Sequence, residues 1–312
     1  LTAKNNLIAA LDAKNAEIPE NPTIFDLVGL VEDIFNSDGP ALQVNTITLH
    51  TPITASVISQ KYATKAEINY NTDDAVSFNG AFDSTHTALE ELYFTRSVKT
   101  NNIKYMCRKC TSLHTADIKV YGDNVDMSGA FYDCTNLSNL TLDGEVKAST
   151  MYEMFCDCTA LTTLSLPNLS LVANSNSQRG MCSYCTGLTE FCAPNLVVGT
   201  NCEYMFRNCT SLKKITLKSH PQFSKDIFVD CAPVLEELVF TDTTAQFRNN
   251  SSFTLTWPAM SAANFMVFVN STAPATDGYS KIFKLSADAY ADLTDDDLAV
   301  VTAHGYTVQA IE

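Results

Sequence analysis

Two cysteine pairs, Cys107-x-x-Cys110 and Cys182-x-x-Cys185, carry the spacing of zinc ligands, and Cys156-x-Cys158 lies between them in sequence. Four thiolates contributed by such pairs make a closed tetrahedral metal site. The second cysteine of each pair, however, belongs to a series: Cys110, Cys134, Cys158, Cys185, Cys209 and Cys231 recur at a near-constant interval. Recurrence is what interior packing asks for, because cysteine is small, readily buried and only weakly polar. A metal site needs convergence instead. The sequence therefore assigns these thiols to a core, with no metal and no cofactor expected. The chain has 11 cysteines, an odd number, so at least one thiol stays unpaired. Cys192 and Cys202 fall outside the series and are the expected exceptions to a reduced, packed set.

Other chemistry-bearing residues do not assemble into a motif. His50, His86, His114, His220 and His304 are scattered, with no His-Glu-x-x-His pair and no serine elbow beside them. Asp295-Asp296-Asp297 lacks the alternating ligands and the glycine of a calcium loop. Acidic residues at a helix start are favoured by its dipole in any case. No catalytic residue is expected, and the chain does not read as an enzyme.

The elements that position these residues are repeats. The string Phe-x-x-Cys-Thr-x-Leu-x-x-Leu-x-Leu appears at Phe131 to Leu142 and Phe155 to Leu166, and again with Ile215 at Phe206 to Leu217. Looser copies begin at Phe82, Cys107, Cys182 and Phe228. A fixed period of roughly 24 residues is the signature of a solenoid. The i, i+3 spacing of Phe and Cys suits one helical or 3₁₀ turn with both side chains inward. The closing Leu-x-Leu alternates as a strand does. One turn and one short strand cannot bury their own apolar face, so copies must stack into a parallel sheet with rungs about 4.8 Å apart.

This pattern resembles the BspA-type leucine-rich repeats, the cysteine-bearing class found in bacterial surface proteins. The resemblance covers about residues 79 to 243 in seven copies. Departures are Cys107 and Cys182 in the Phe column, Ala116 for a Leu, and Phe191 with Ala193 in the fifth strand. The resemblance implies a curved right-handed solenoid that binds macromolecules and has no catalytic role. The expected fold is an α/β repeat: a leucine-rich-repeat solenoid with short parallel strands on its concave face. A helical N-terminal cap and a small α/β C-terminal cap complete it.

Four segments follow. Residues 1–40 form a helical segment, with Thr2 and Thr23 as N-caps and Pro19 and Pro22 between two helices. Residues 41–78 alternate as strands and read as degenerate early rungs. The solenoid spans 79–245. A C-terminal α/β cap at 246–312 has helices over 261–269 and 294–303 and strands over 281–285 and 306–310. Thr294 and Asp297 form a weak capping box, and Gly305 stands where a helix C′ glycine belongs. The opening 35 or so residues also resemble helical modules of phage tail proteins.

Composition bounds the partners. The 312-residue chain is 46% hydrophobic and 18% charged, which excludes wholesale disorder. A formal net charge of −15 argues against nucleic acid or anionic membrane as partner. No stretch approaches the 18 or so apolar residues of a membrane helix, so membrane insertion is not expected. The residues between the buried leucines should point out of the concave face: Tyr93, Thr115, Asp117, Asn139, Thr141, Thr163, Ser165, Glu190, Lys214, Thr216 and Glu237. That strip is the candidate site for a protein or glycan ligand. The expected function is non-catalytic binding or adhesion at the bacterial surface or outside the cell. The alternative is a tail-associated structural or receptor-binding protein of a virion.

Overall fold

The computed structural model describes residues 46–49, 62–69, 74–172, 177–199, 201–219, 225–228, 230–244, 252–276 and 278–312. The two helices expected before residue 40 lie outside them. Every strand pair among the described residues is parallel. Successive coils stack, with a first strand face, a second strand face over the coils of β3 to β10, and a face of turns.

The first strand face holds β1 (Thr46–Leu49), β2 (Lys65–Ile68), β4 (Glu91–Phe94), the front half of β6 (Thr115–Asp126) and β7 (Asn139–Asp143). It continues with β9 (Thr163–Ser165), β11 (Glu190–Val197), β12 (Lys214–Ser219) and β13 (Glu237–Phe240). The second face is built from β3 (Val76–Ser77), β5 (Val98–Asn102), the back half of β6, β8 (Val146–Thr150) and β10 (Leu169–Leu171). β1 and β2 show that residues 46–49 and 65–68 are rungs, although their sequences lack the Phe and Cys columns. The corner between β7 and β8 is tight. Gly144 there has φ +102°, and a Cβ on it would lie 2.1 Å from the Val120 carbonyl oxygen.

The turn face holds more than the one helical or 3₁₀ turn expected. Each coil makes consecutive turns closed by i→i−3 bonds, for example Met154 N to Met151 O, Cys158 N to Phe155 O and Leu161 N to Cys158 O. A continuous helix is prevented by two left-handed residues per coil. One lies two before the Phe column (Tyr105, Gly129, Glu153, Gly180, Tyr204) and one just before the Cys column (Lys109, Asp133, Asp157, Tyr184, Asn208). Left-handed backbone costs a non-glycine residue about 1–2 kcal/mol. Here it swings the N–H along the solenoid axis, so that Asp133 N reaches Cys156 O at 2.8 Å and Tyr184 N reaches Arg207 O at 2.7 Å. The strain is offset by bonds between coils. Regular 3₁₀ helix appears only at Lys225–Phe228 and Ala232–Val234 among the described residues.

The core runs the length of the stack. Phe131 and Phe155 are fully buried, with their rings stacked 5.6 Å apart. The fifth coil exchanges volume within itself. Cys182 takes the Phe position, while Phe191 replaces the strand Leu and packs edge-on against Phe206 at 5.0 Å.

Beyond the repeats the period does not vanish but lengthens. β14 (Phe253–Trp257), β15 (Lys281–Leu285) and β16 (Tyr306–Ala310) are still parallel and in register. Helix α1 (Ala262–Asn270) links the first two, and α2 (Ala287–Ala291) and α3 (Asp295–Ala303) link the last two. Thr294 and Asp297 make the reciprocal capping box, and Gly305 follows α3 at φ +75°. Trp257 is fully buried, edge-on to Phe228 of the last coil at 6.3 Å. α1 lies against β13: Asn264 Nδ2 donates to Glu236 O at 2.9 Å, and Ser271 Oγ accepts from Phe240 N at 3.2 Å. These bonds satisfy backbone groups of an edge strand that would otherwise be open to pairing.

Candidate functional site

The outward residues of the first strand face come into line because parallel strands in register place like positions side by side. Glu91, Thr115 and Asn139 make one row, and Tyr93, Asp117 and Thr141 the next. On the later coils Thr163, Glu190, Lys214 and Glu237 align, as do Ser165, Cys192, Thr216 and Val239. Their neighbours Leu92, Ala116, Leu164, Phe191, Ile215 and Leu238 are buried. All eleven candidate residues therefore face outward. Asn139, Thr141, Thr163 and Ser165 are exposed, and the other seven are half-buried.

Charge is distributed unevenly along this strip. Near its start Lys65 pairs with Glu67 at 2.9 Å and lies 5.0 Å over the Tyr93 ring. The Glu67 hydrogen bond raises the Lys65 pKa. Asp117 pairs with Lys119 at 2.8 Å. At the far end Lys214 lies between Glu190 at 4.0 Å and Glu237 at 3.3 Å. Between them Asn139, Thr141, Thr163 and Ser165 carry hydroxyls and an amide, with exposed Asp143 at the end of β7 in register with Lys119. There, too, the sheet divides: β6 to β7 belongs to one ladder and β9 to β13 to another. The candidates thus form two aligned groups whose junction is small, polar and exposed. β1 and β2 lengthen the strip by Thr46, Thr48, Lys65 and Glu67. Their signal in the sequence is alternation alone, in Thr46–Leu49 and Lys65–Ile68.

The cysteine series has a definite task. Five of its six thiols donate to the carbonyl of the Phe column in the preceding coil: Cys110 to Phe82 O at 2.8 Å, Cys134 to Cys107 O at 2.9 Å, Cys158 to Phe131 O at 3.1 Å, Cys185 to Phe155 O at 3.0 Å and Cys209 to Cys182 O at 3.0 Å. The sulfurs point along the axis, one to a coil, and do not converge. A donor must keep its proton, and burial pushes the Cys107, Cys134, Cys158, Cys182 and Cys209 thiols well up, and Cys231 up to about 12. Among the described residues no three His, Cys, Asp or Glu side chains cluster as metal ligands. The second cysteine of each zinc-spaced pair donates in this ladder, and the first is buried in the Phe column.

None of the 11 cysteines is in a disulfide. Cys192 is half-buried on the strand face, but Cys202 is fully buried. Cys202 occupies the column of Ile103, Met127 and Met151, four before the Phe position, which is why it packs as they do. Of the histidines, His304 is structural: Nδ1 faces Val300 O at 2.9 Å and Nε2 faces Thr272 O at 3.1 Å. His114 Nδ1 meets Thr115 Oγ1 at 2.9 Å. His50 and His220 lie outside the described residues.

A family match agrees with the repeat assignment. The BspA type leucine rich repeat region matches the chain in 6 copies, over residues 78–202 and 127–255. A solved LRR protein of Leptospira interrogans is similar at a TM-score of 0.41 and 11% sequence identity. The similarity covers 95% of this chain but 63% of that one, so the chain spans less than two thirds of that protein's length. No curated protein matches the chain.

Proposed function

We propose a binding function for this chain, which belongs to the BspA-type leucine-rich repeat family and is a leucine-rich-repeat solenoid. Leucine-rich repeats are in general non-enzymatic scaffolds that bind proteins, and those of the BspA type are typically associated with bacterial surfaces. On our reading the concave strand strip from Tyr93 to Glu237 holds a protein ligand, in an adhesive role at the cell surface or outside it. One observation supports this above others. In-register strands line up a strip whose flanking charges pair within the protein, at Asp117–Lys119 and Glu190–Lys214–Glu237, while Asn139, Thr141, Thr163 and Ser165 between them are exposed and uncharged. A partner covering that centre desolvates hydroxyls and amides, not ions, which keeps the cost of association low. No helix among the described residues is long and apolar enough to cross a membrane. Nothing observed favours the tail-associated alternative, and the N-terminal residues that suggested it lie outside those described.

The test is a panel of immobilised extracellular proteins and glycans probed with the purified chain and with Thr141→Arg/Thr163→Arg, which fills the centre of the strip. The reading expects a protein bound by the parent and lost in the double variant, with the melting temperature unchanged. Equal binding by both proteins overturns the strand strip as the site. Retention of a glycan but no protein overturns the ligand class.

A further inference from the structure

We infer that the turn face carries a second site, formed by Lys104, Tyr105, Arg108 and Lys109 of the second coil with Tyr132 of the third. Its partner is a short acidic segment of a polypeptide. This goes beyond the strand-face reading and does not depend on it. The starting observation is an imbalance of residue types. The strand strip offers one aromatic side chain, Tyr93, whereas the outward turn positions hold Tyr105, Tyr132, Tyr152, Tyr184 and Tyr204 with Arg108, Arg179 and Arg207. Tyrosine and arginine are the residues that dominate binding energy at interfaces.

At the second coil these groups form a built unit. The Arg108 guanidinium lies 4.9 Å over the Tyr105 ring and 5.4 Å over that of Tyr132, so it is held between two aromatic groups. Lys104 Nζ lies 5.1 Å over Tyr105. The Tyr105 ring is itself fixed against Gly129, where a Cβ would come within 2.7 Å of two of its carbons. A guanidinium held by its faces keeps its N–H edges free for a carboxylate and loses little rotamer freedom on binding. Among the described residues none of Lys104, Arg108 and Lys109 has a carboxylate partner within ion-pair distance, although the chain has 35 acidic residues and only 20 lysines and arginines. Asp83 and Asp133, at the adjoining repeat positions of the neighbouring coils, make no ion pair with these cations, and Asp83 lies 3.9 Å from His86 Nδ1. Three cations on one coil of an acidic protein make a local anion site.

The surroundings select the partner. Glu153 and Asp157 lie two coils further along the same face, roughly 10 Å away at the spacing of stacked strands. A uniform polyanion lying along the axis meets them and the overall −15 charge. A sugar ring finds Tyr105 already covered by two cations and packed on Gly129. Two or three carboxylates on a peptide crossing the coil meet neither obstacle.

The experiment is a titration, followed by nuclear magnetic resonance at low ionic strength, of the full chain with a blocked tri-glutamate peptide. Its tri-glutamine counterpart and a heparin-derived tetrasaccharide are run in parallel. The glutamate peptide is expected to bind and the glutamine peptide not. Arg108→Gln should weaken binding about tenfold, the usual scale for an interface arginine. Arg108→Lys should be intermediate, because charge survives and the planar stacking does not. Arg108 is exposed, so its variants should melt with the parent. Absence of glutamate-peptide binding, or binding indifferent to Arg108→Gln, overturns the site. Equal or tighter binding of the tetrasaccharide through the same residues overturns the assignment to an acidic peptide.

Discussion

Each coil contains two short motifs of similar length with opposite physical roles. In the fourth coil, Phe155 and Cys158 lie inward on the turn side, both fully buried. A few residues on, Thr163 and Ser165 stand exposed on either side of buried Leu164. The inner pair sets the period of the sequence because coil after coil must fill the same interior volume, and five of them supply the same thiol donor to a neighbour. The outer pair is free of that demand and varies from coil to coil. Conspicuous chemistry in this chain, the zinc-spaced cysteines above all, therefore belongs to the interior, whereas the recognition we propose falls to residues that looked plain.

Substitutions along one coil break or sharpen this contrast. Phe155→Ala should be the most damaging, costing about 3–5 kcal/mol in denaturant unfolding, through lost burial and the cavity left against Phe131. Cys158→Ser should cost on the order of 1–3 kcal/mol. The hydroxyl is more polar, and its shorter bond draws it back from Phe131 O, now 3.1 Å from the sulfur. Thr163→Ala, on the strip, should fall within about 0.5 kcal/mol of the parent. A larger loss at Thr163 than at Cys158 would mean that the two faces are reversed.

Alkaline pH sharpens the same contrast. In the unfolded chain a thiol ionises near pH 8.5, but burial holds the folded Cys134, Cys158 and Cys209 thiols above this, and Cys231 at about 12. The unfolded state then sheds protons first. The stabilisation contributed by each such thiol is complete below about pH 8.5 and declines as pH rises toward the folded value, by up to about 1.4 kcal/mol per pH unit. Urea midpoints should therefore fall steeply between about pH 9 and pH 11. The fall should be shallower in Cys158→Ser than in the parent, whereas Thr163→Ala should follow the parent.

Much of the fold was legible because repetition reveals which positions are interior. Seven copies sharing Phe, Cys and Leu columns are enough to infer stacking, and the Leu-x-Leu alternation is enough to orient Tyr93 through Glu237. The left-handed turns were not legible: Tyr105, Glu153 and Tyr204 are poor left-handed residues, and only the bonds between coils explain their backbone. Nor was the break between β7 and β9, since Asn139–Leu142 and Thr163–Leu166 carry the same pattern. The Tyr105–Arg108–Tyr132 stack was visible only as composition. Its significance depends on which residues of successive coils are neighbours. The division at residue 245 remains our proposal, supported by the contacts of α1 with β13.

The central claim is that the column cysteines are protonated interior donors. It is tested most directly by counting the thiols that react with a small alkylating reagent in the native protein at neutral pH, with peptide mapping by mass spectrometry. The account predicts modification of Cys192 alone among the described cysteines, and of all 11 only after denaturation. Rapid native labelling of Cys110, Cys134, Cys158, Cys185 or Cys209, or their protection by a stoichiometric metal that a chelator removes, would contradict it.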